Sequence, residues 1–198
     1  MSLRKPIDRI SVDEYLEGEK ESPIRHEYVD GHVFAMAGAS DRHNLIAGTV
    51  YAQLLDLLSP GPSRAFISDM KVRVEPSIYY YPDVVVACDP PGGDHYTRQQ
   101  PVLIIEVTSP STQRADRFEK LPAYKRIACL VECVLISQVQ MFVELHRRVG
   151  GEWQTELLTR PDDQLRLQSV GLSMTLSAIY RNVEFDEDPQ AGIPHQER

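Results

Sequence analysis

A chain of 198 residues, 42% hydrophobic and 25% charged, has the size and composition of one globular domain with a single core. Its apolar run from Ala128 to Ile136 is broken by Glu132 and too short to span a bilayer. No apolar segment follows the basic N-terminal residues, as a secretory signal would require. The net charge of −8 argues against strong, non-specific nucleic-acid binding.

Three cysteines, Cys88, Cys129 and Cys133, have neither a disulfide framework nor zinc spacing. Reduced thiols in a cytoplasmic protein are expected, with Cys129 and Cys133 as small buried apolar groups.

Ser11 to Glu14 fits a capping box that opens a short helix. Arg25 to Ala37 reads as a hairpin turning at Asp30-Gly31. Ser40 or Asp41 caps a longer helix to about Leu58, stopped by Pro60-Gly61-Pro62. Strands follow at about 65–75, 82–88 and 101–107, with a polar loop over 89–100. Thr112 can cap a helix from roughly 114 to 127, in which Pro122 is an awkward residue. Further strands are expected at about 130–137, 140–147, 152–158 and 164–168, then a short helix near Thr175 to Tyr180. This order suggests an α/β fold with a mixed central sheet and additional antiparallel strands. Residues 1–180 form the single domain. Residues 181–198, with two arginines against five acids, read as an acidic, disordered tail.

Two acids stand out. Asp83 opens the β-branched run Val84-Val85-Val86, and Glu106 follows Ile104-Ile105, 23 residues later. Buried acids are costly unless they are paired or hold a cation. Carboxylates on two adjacent strands could share a divalent metal and so serve hydrolysis, although acids at strand ends are common.

The ordered set Tyr80-Tyr81-Pro82-Asp83-Val84-Val85-Val86, Pro101 to Thr112 with Glu106 at its centre, and Asp116-Arg117-Phe118-Glu119-Lys120 with Tyr124 resembles the restriction-endonuclease-like Uma-two family. That family lies within the PD-(D/E)xK nuclease superfamily. The likeness extends to Glu27-Tyr28-Val29-Asp30-Gly31, to His43 and to Glu132 through Ile136, covering roughly residues 10–180. It implies a restriction-endonuclease-like core and metal-dependent DNA cleavage. Mg²⁺ or Mn²⁺ would be held by Asp83, Glu106 and the Val107 backbone carbonyl.

The superfamily lysine two residues after the glutamate is replaced here by Thr108, and the family pattern implies a displaced lysine at Lys120. On a regular helix Asp116, Lys120 and Tyr124 share one face. Lys71 and Lys125 are alternatives, as is a site with no catalytic lysine, and Asp116–Lys120 can be read as a surface ion pair. Glu27 and His43 are supporting candidates, each with an ordinary structural explanation.

Arg114 to Arg126 holds five basic residues against two acids, a local basic cleft for weak DNA binding or a solvated helix face. Duplex cleavage implies a homodimer. The competing reading is an inactive nuclease fold serving as a binding or assembly module.

Overall fold

The computed structural model describes residues 9–59, 61–90 and 92–186. Helix α1 (Val12–Glu21) precedes strands β1 (His26–Val29) and β2 (His32–Ala35), and α2 spans Asp41–Leu58. Then come β3 (Arg64–Ile67), β4 (Lys71–Glu75), β5 (Ile78–Tyr80), β6 (Val84–Ala87), β7 (Thr97–Arg98) and β8 (Pro101–Thr108). A helical crossover follows, made of α3 (Gln113–Ala115), a π-helical turn (Asp116–Lys120) and α4 (Leu121–Tyr124). The remainder is β9 (Glu132–Ser137), β10 (Val143–Val149), β11 (Glu152–Leu158), β12 (Gln164–Leu167), β13 (Leu172–Thr175) and α5 (Leu176–Ile179).

A mixed six-stranded sheet, ordered β11-β10-β9-β8-β6-β3, is the expected central sheet. Only β8 and β9 run parallel in it, because the helical crossover between them returns the chain to the same end. The additional strands form a five-stranded sheet, β2-β1-β5-β4-β7, and the hairpin β12-β13.

Alternation along β6 and β8 divides the core. Val84, Val86, Leu103, Ile105 and Val107 pack against Ile46, Ala47, Val50 and Leu54 of α2. Val85 and Ile104 face the other way, onto Leu121, Ala123 and Tyr124 of α4. Glu106 shares the parity of Ile104 and therefore lies beneath the crossover.

Local signals explain most boundaries. The Ser11 side chain accepts from Glu14 N–H at 3.2 Å, while Glu14 accepts from Ser11 N–H at 2.8 Å, completing the capping box. Asp30 and Gly31 take φ of 49° and 89°, the left-handed pair that a two-residue hairpin needs. Ser40, rather than Asp41, caps α2 by accepting from His43 N–H at 3.2 Å.

Elsewhere tertiary structure overrides the local reading. The strand expected over 65–75 breaks at Ser68 and Asp69, both with positive φ, and its halves join different sheets. Strands β5, β7 and β13 add to those expected. Cys133 is buried as expected, but Cys129 is exposed on the loop before β9. The tail expected at 181–198 lies partly outside the described residues, from 187 onward. Before that, Phe185 packs on Tyr180 with ring centroids 5.5 Å apart, and Asp186 bonds Arg42 at 2.5 Å. Among the described residues no helix is long and apolar enough to cross a membrane.

His146, on β10 beneath the crossover, is 5% exposed. Its Nδ1 lies 2.8 Å from Thr155 Oγ1 and 3.3 Å from Lys125 Nζ. Burial, followed by the charges of Lys125 and Arg117, pushes its pKa down to about 4. The unfolded chain therefore takes up this proton first, and stability is lost as pH falls from about 6.5 towards 4. A shift of this size amounts to roughly 3 kcal/mol. Replacing His146 with Gln should remove that component from the difference between urea unfolding at pH 7 and pH 4. An unchanged difference would show that His146 takes up its proton as readily in the native protein as in the unfolded chain.

Candidate active site

Asp83 sits where the chain leaves the five-stranded sheet after β5 and enters the six-stranded sheet as β6. The nearby β3–β4 crossing is tied to it, since Ser68 N–H donates to the Asp83 carbonyl at 2.9 Å. The Asp83 carboxylate is held on both oxygens. Oδ2 accepts from Val107 N–H at 2.6 Å, and Oδ1 lies 2.9 Å from His43 Nε2. Because His43 is the third residue of α2, the Ser40 cap that starts the helix also fixes the imidazole donor. In a strand, a residue's N–H and C=O point to the same side, so the Val107 carbonyl also faces the Asp83 side.

Lys120 arrives from the crossover. Its Nζ lies 2.6 Å from Glu27 Oε1, 3.4 Å from Glu106 Oε1 and 3.5 Å from Asp116 Oδ1. All four residues are buried. Tyr124 donates its hydroxyl to Glu106 Oε1 at 2.6 Å. Tyr80 packs edge-on to Tyr124, and the Lys120 ammonium lies 5.7 Å from the Tyr80 ring centre.

The helix that carries these groups is not the regular one expected. Leu121 N–H reaches back five residues to Asp116 C=O, making a π turn over 116–120. Pro122 supplies a reason. It has no N–H to donate, and in a regular helix its ring would clash with the Phe118 carbonyl four residues back. Widening the turn relieves that clash and places Pro122 in the first turn of α4. Asp116 and Lys120 nevertheless both turn inward.

Four carboxylates, from Glu27, Asp83, Glu106 and Asp116, surround one ammonium and one imidazole. Burial raises the Glu106 pKa well above the usual carboxylate range, opposed by Lys120 and the Tyr124 hydrogen bond and reinforced by Asp83 and Asp116. Burial also raises Asp116, against the pull of Lys120 and a hydrogen bond from Thr112. Burial alone would depress Lys120, but Glu106, Glu27 and Asp116 outweigh it and hold the amine well above its ordinary value. For His43, burial lowers the pKa while the Asp83 hydrogen bond and charge raise it, with a net upward shift.

The donor chemistry fits a hard divalent ion. Among the described residues, the hydrogen bonds and ion pair of the Glu106 carboxylate fall on Oε1, leaving Oε2 as the oxygen for a cation. Asp83 Oδ1 and Oδ2 each retain acceptor capacity beyond their one partner. Among the described residues no three His, Cys, Asp or Glu side chains form a metal cage. Two carboxylates, one carbonyl and retained waters suit Mg²⁺ or Mn²⁺, whereas a closed zinc site would require a fuller protein set.

Comparison with known proteins agrees with this architecture. The family model Uma2, described as "Putative restriction endonuclease", matches residues 12–178. The chain belongs to the Uma2 family. Two proteins of Synechocystis sp. are similar to it. Uncharacterized protein slr1290 is 35% identical over 91% of this chain and 96% of its own length. Uncharacterized protein sll1609 is 33% identical over 75% and 88%. In fold, the chain matches a crystal structure from Anabaena variabilis described as a putative nuclease of the DUF820 group. The TM-score is 0.73, with 18% identity over 87% of this chain and 98% of that one. The Uma2 chain thus has the restriction-endonuclease-like fold.

Asp83, Val107, Glu106, Lys120, Glu27 and His43 form one connected set in this Uma2 protein. The alternative lysines lie elsewhere. Lys71 is 5.1 Å from the Tyr15 ring centre and 5.8 Å from that of Tyr81, beneath α1. Lys125 meets His146 and sits 5.6 Å from the Trp153 ring centre.

Asp116 belongs inside the site and not to the surface ion pair that its i,i+4 spacing also allowed. Tyr124 is the group whose role the sequence left unstated; its spacing of eight from Asp116 was the available signal. Glu19 is a further buried acid, outside this set, that no sequence motif marks. It accepts from Tyr81 OH and His26 N–H, each at 2.9 Å, and braces α1 against β1.

The basic segment is largely neutralised. Arg117 bonds Glu144, Arg126 bonds Glu75 at 2.5 Å, and Lys120 is buried. Among the described residues Arg114 forms no ion pair, and with Pro110, Gln113, Arg117 and Phe118 it lines an open surface cavity of about 480 Å³.

The Lys120 cluster makes a stability prediction. Lys120→Met leaves Glu27, Glu106 and Asp116 buried without their ammonium, a loss of about 3–5 kcal/mol for a broken buried pair. The loss should be largest near pH 8 and smaller near pH 5, where burial already favours the protonated forms of Glu106 and Asp116. Urea unfolding at both pH values measures it, and an equal loss at both would contradict the arrangement of charges.

Proposed function

We propose that this Uma2 protein is a metal-dependent DNA endonuclease that hydrolyses phosphodiester bonds. The observation that carries this reading is the buried Lys120 ammonium, 3.4 Å from Glu106 although Thr108 occupies the usual lysine position. Membership of a family described as "Putative restriction endonuclease" supports it, as does the description of the Anabaena neighbour as a putative nuclease.

Asp83, Glu106 and the Val107 carbonyl would hold Mg²⁺ or Mn²⁺. When bound, such an ion supplies a water acidic enough to attack near neutral pH and a counter-charge for the phosphoryl oxygens. Lys120 donates hydrogen bonds and steadies the negative charge that develops in the transition state. Glu27 holds Lys120 in place, and His43 holds Asp83 through its Oδ1. Tyr124 is a positioning residue: by occupying Glu106 Oε1 it leaves Oε2 as the oxygen that would hold the ion. A homodimer would present two such sites to the two strands of a duplex.

A second reading has its own support. With Arg117 and Arg126 paired to acids and a net charge of −8, little free basic surface remains for DNA. A nuclease fold without cleavage, acting as a binding or assembly module, would have these properties.

Incubation of the full chain with supercoiled plasmid and Mg²⁺ or Mn²⁺ separates the two readings. Nicking that stops with EDTA, and that falls about 100-fold or more in Asp83→Ala, Glu106→Ala and Lys120→Ala, supports the enzyme. Cleavage that survives in Asp83→Ala and Glu106→Ala removes the site assignment. Absence of both cleavage and Mn²⁺ binding favours the module.

Tyr124→Phe should weaken Mn²⁺ binding about 10–100-fold, the usual cost of losing a partner that orients a ligand. A paramagnetic Mn²⁺ titration reads this directly. Equal affinity in Tyr124→Phe and the unmodified protein would reduce Tyr124 to a packing role.

A further inference from the structure

Strand β11 forms one edge of the six-stranded sheet and pairs only with β10 among the described residues. Its seven residues, Glu152–Leu158, make an edge about 24 Å long at an ordinary strand rise. All are exposed or half-buried except Leu158. Gly150-Gly151 forms a two-residue turn closed by the pair Val149 and Glu152. In such a hairpin the closing pair exchanges both hydrogen bonds, so Glu152, Gln154, Glu156 and Leu158 bond towards β10. The N–H and C=O groups of Trp153, Thr155 and Leu157 consequently point outward. A long edge of this kind is a template for another strand.

Exposed apolar side chains lie beside it. Leu157 is 59% exposed and Phe118 is 70% exposed. Leu157 stands opposite Glu144 in the β10–β11 ladder, and Glu144 is bonded by Arg117, the residue before Phe118. Leu157 therefore flanks the edge on the side of the helical crossover, the segment that also carries the exposed Phe118.

We infer that β11 pairs antiparallel with β11 of a second copy of this chain, with Thr155 on the twofold axis. This register alone overlaps all seven residues. It sets Trp153 opposite Leu157, Thr155 opposite Thr155, Gln154 opposite Glu156 and Glu152 opposite Leu158. The outward backbone groups then exchange six hydrogen bonds, two at each of the three outward pairs.

Shifting the axis to Gln154 sets Glu152 against Glu156, and shifting it to Glu156 sets Glu156 against itself. Like charges directly opposite one another destabilise a ladder. The register with the longest overlap is thus also free of directly opposed acids. The two six-stranded sheets become one continuous sheet, and Leu157 of each copy covers the junction from the crossover side. This interface does not depend on the nuclease reading.

Sedimentation equilibrium of the full chain over a wide concentration range tests it. A monomer–dimer equilibrium is expected. Gln154→Lys, facing Glu156 of the partner subunit, should tighten it about threefold to tenfold, and Gln154→Glu should weaken it by a similar factor. Leu157→Ser should weaken it as well. Gln154 and Leu157 are exposed, so all three variants should keep the fold, which circular dichroism checks. A monomer at every concentration overturns the inference, as does a dimer that responds equally to Lys and Glu at position 154.

Discussion

A single buried ammonium holds this site together. Lys120 is drawn from the crossover to Glu27 on β1 and Glu106 on β8, strands of two different sheets, and to Asp116 within its own turn. Taking such charges out of water costs several kcal/mol per ion, and only dense pairing offsets it. Remove the cation and three acids face one another in the core. Remove the acids and the ammonium has no compensating charge. The junction of the two sheets and the chemistry of the site therefore rest on the same contacts, and neither can drift without the other.

Asp83 depends on a different device. It stands where the chain passes between sheets, and the parallel crossing at Ser68 and Asp69 is tied to it through the Ser68 N–H. The two left-handed residues turn the chain out of β3 before it begins β4. Asp83 is then held between a strand N–H and a helix imidazole, so its orientation is set by backbone geometry at two elements. A carboxylate fixed in this way loses little conformational freedom on taking up a cation, which is the benefit of preorganisation.

How much of this was legible follows from what each signal encodes. The Ser11–Glu14 box, the Asp30-Gly31 turn and the apolar period of α2 are local, and local sequence carries them. The strands bearing Asp83 and Glu106 were legible for the same reason. By contrast, the break at Ser68-Asp69 is imposed by two sheets competing for one alternating segment, and neither residue is a glycine that would have announced a left-handed turn. The π turn was half visible: Pro122 marked a difficulty in the helix, but whether the helix stops, kinks or widens is decided by the packing of Leu121 and Tyr124 on the sheet. Cys129 was misplaced because a four-residue spacing marks a shared face only within a helix, and Cys129 lies in a loop while Cys133 lies in β9. Asp116 was ambiguous because its i,i+4 spacing to Lys120 fits both an exposed pair and a buried one.

Thr108 gives the site its particular form. It is buried on the same face as Glu106, its hydroxyl 3.5 Å from the Ile136 carbonyl, and its own carbonyl accepts from Gln138 N–H at 3.1 Å. A lysine at this place would be aimed by the strand backbone alone. A lysine on the crossover has a longer, freer route to the same carboxylate and must be aimed by other side chains. Glu27 and Asp116 supply that aim, and the π turn supplies the reach. Under the proposed metal site, Asp83 and Glu106 would serve as ligands, while Glu27 and Asp116 hold the lysine. The additional pair constrains the lysine, and its burial is tolerable because the lysine, in turn, neutralises it.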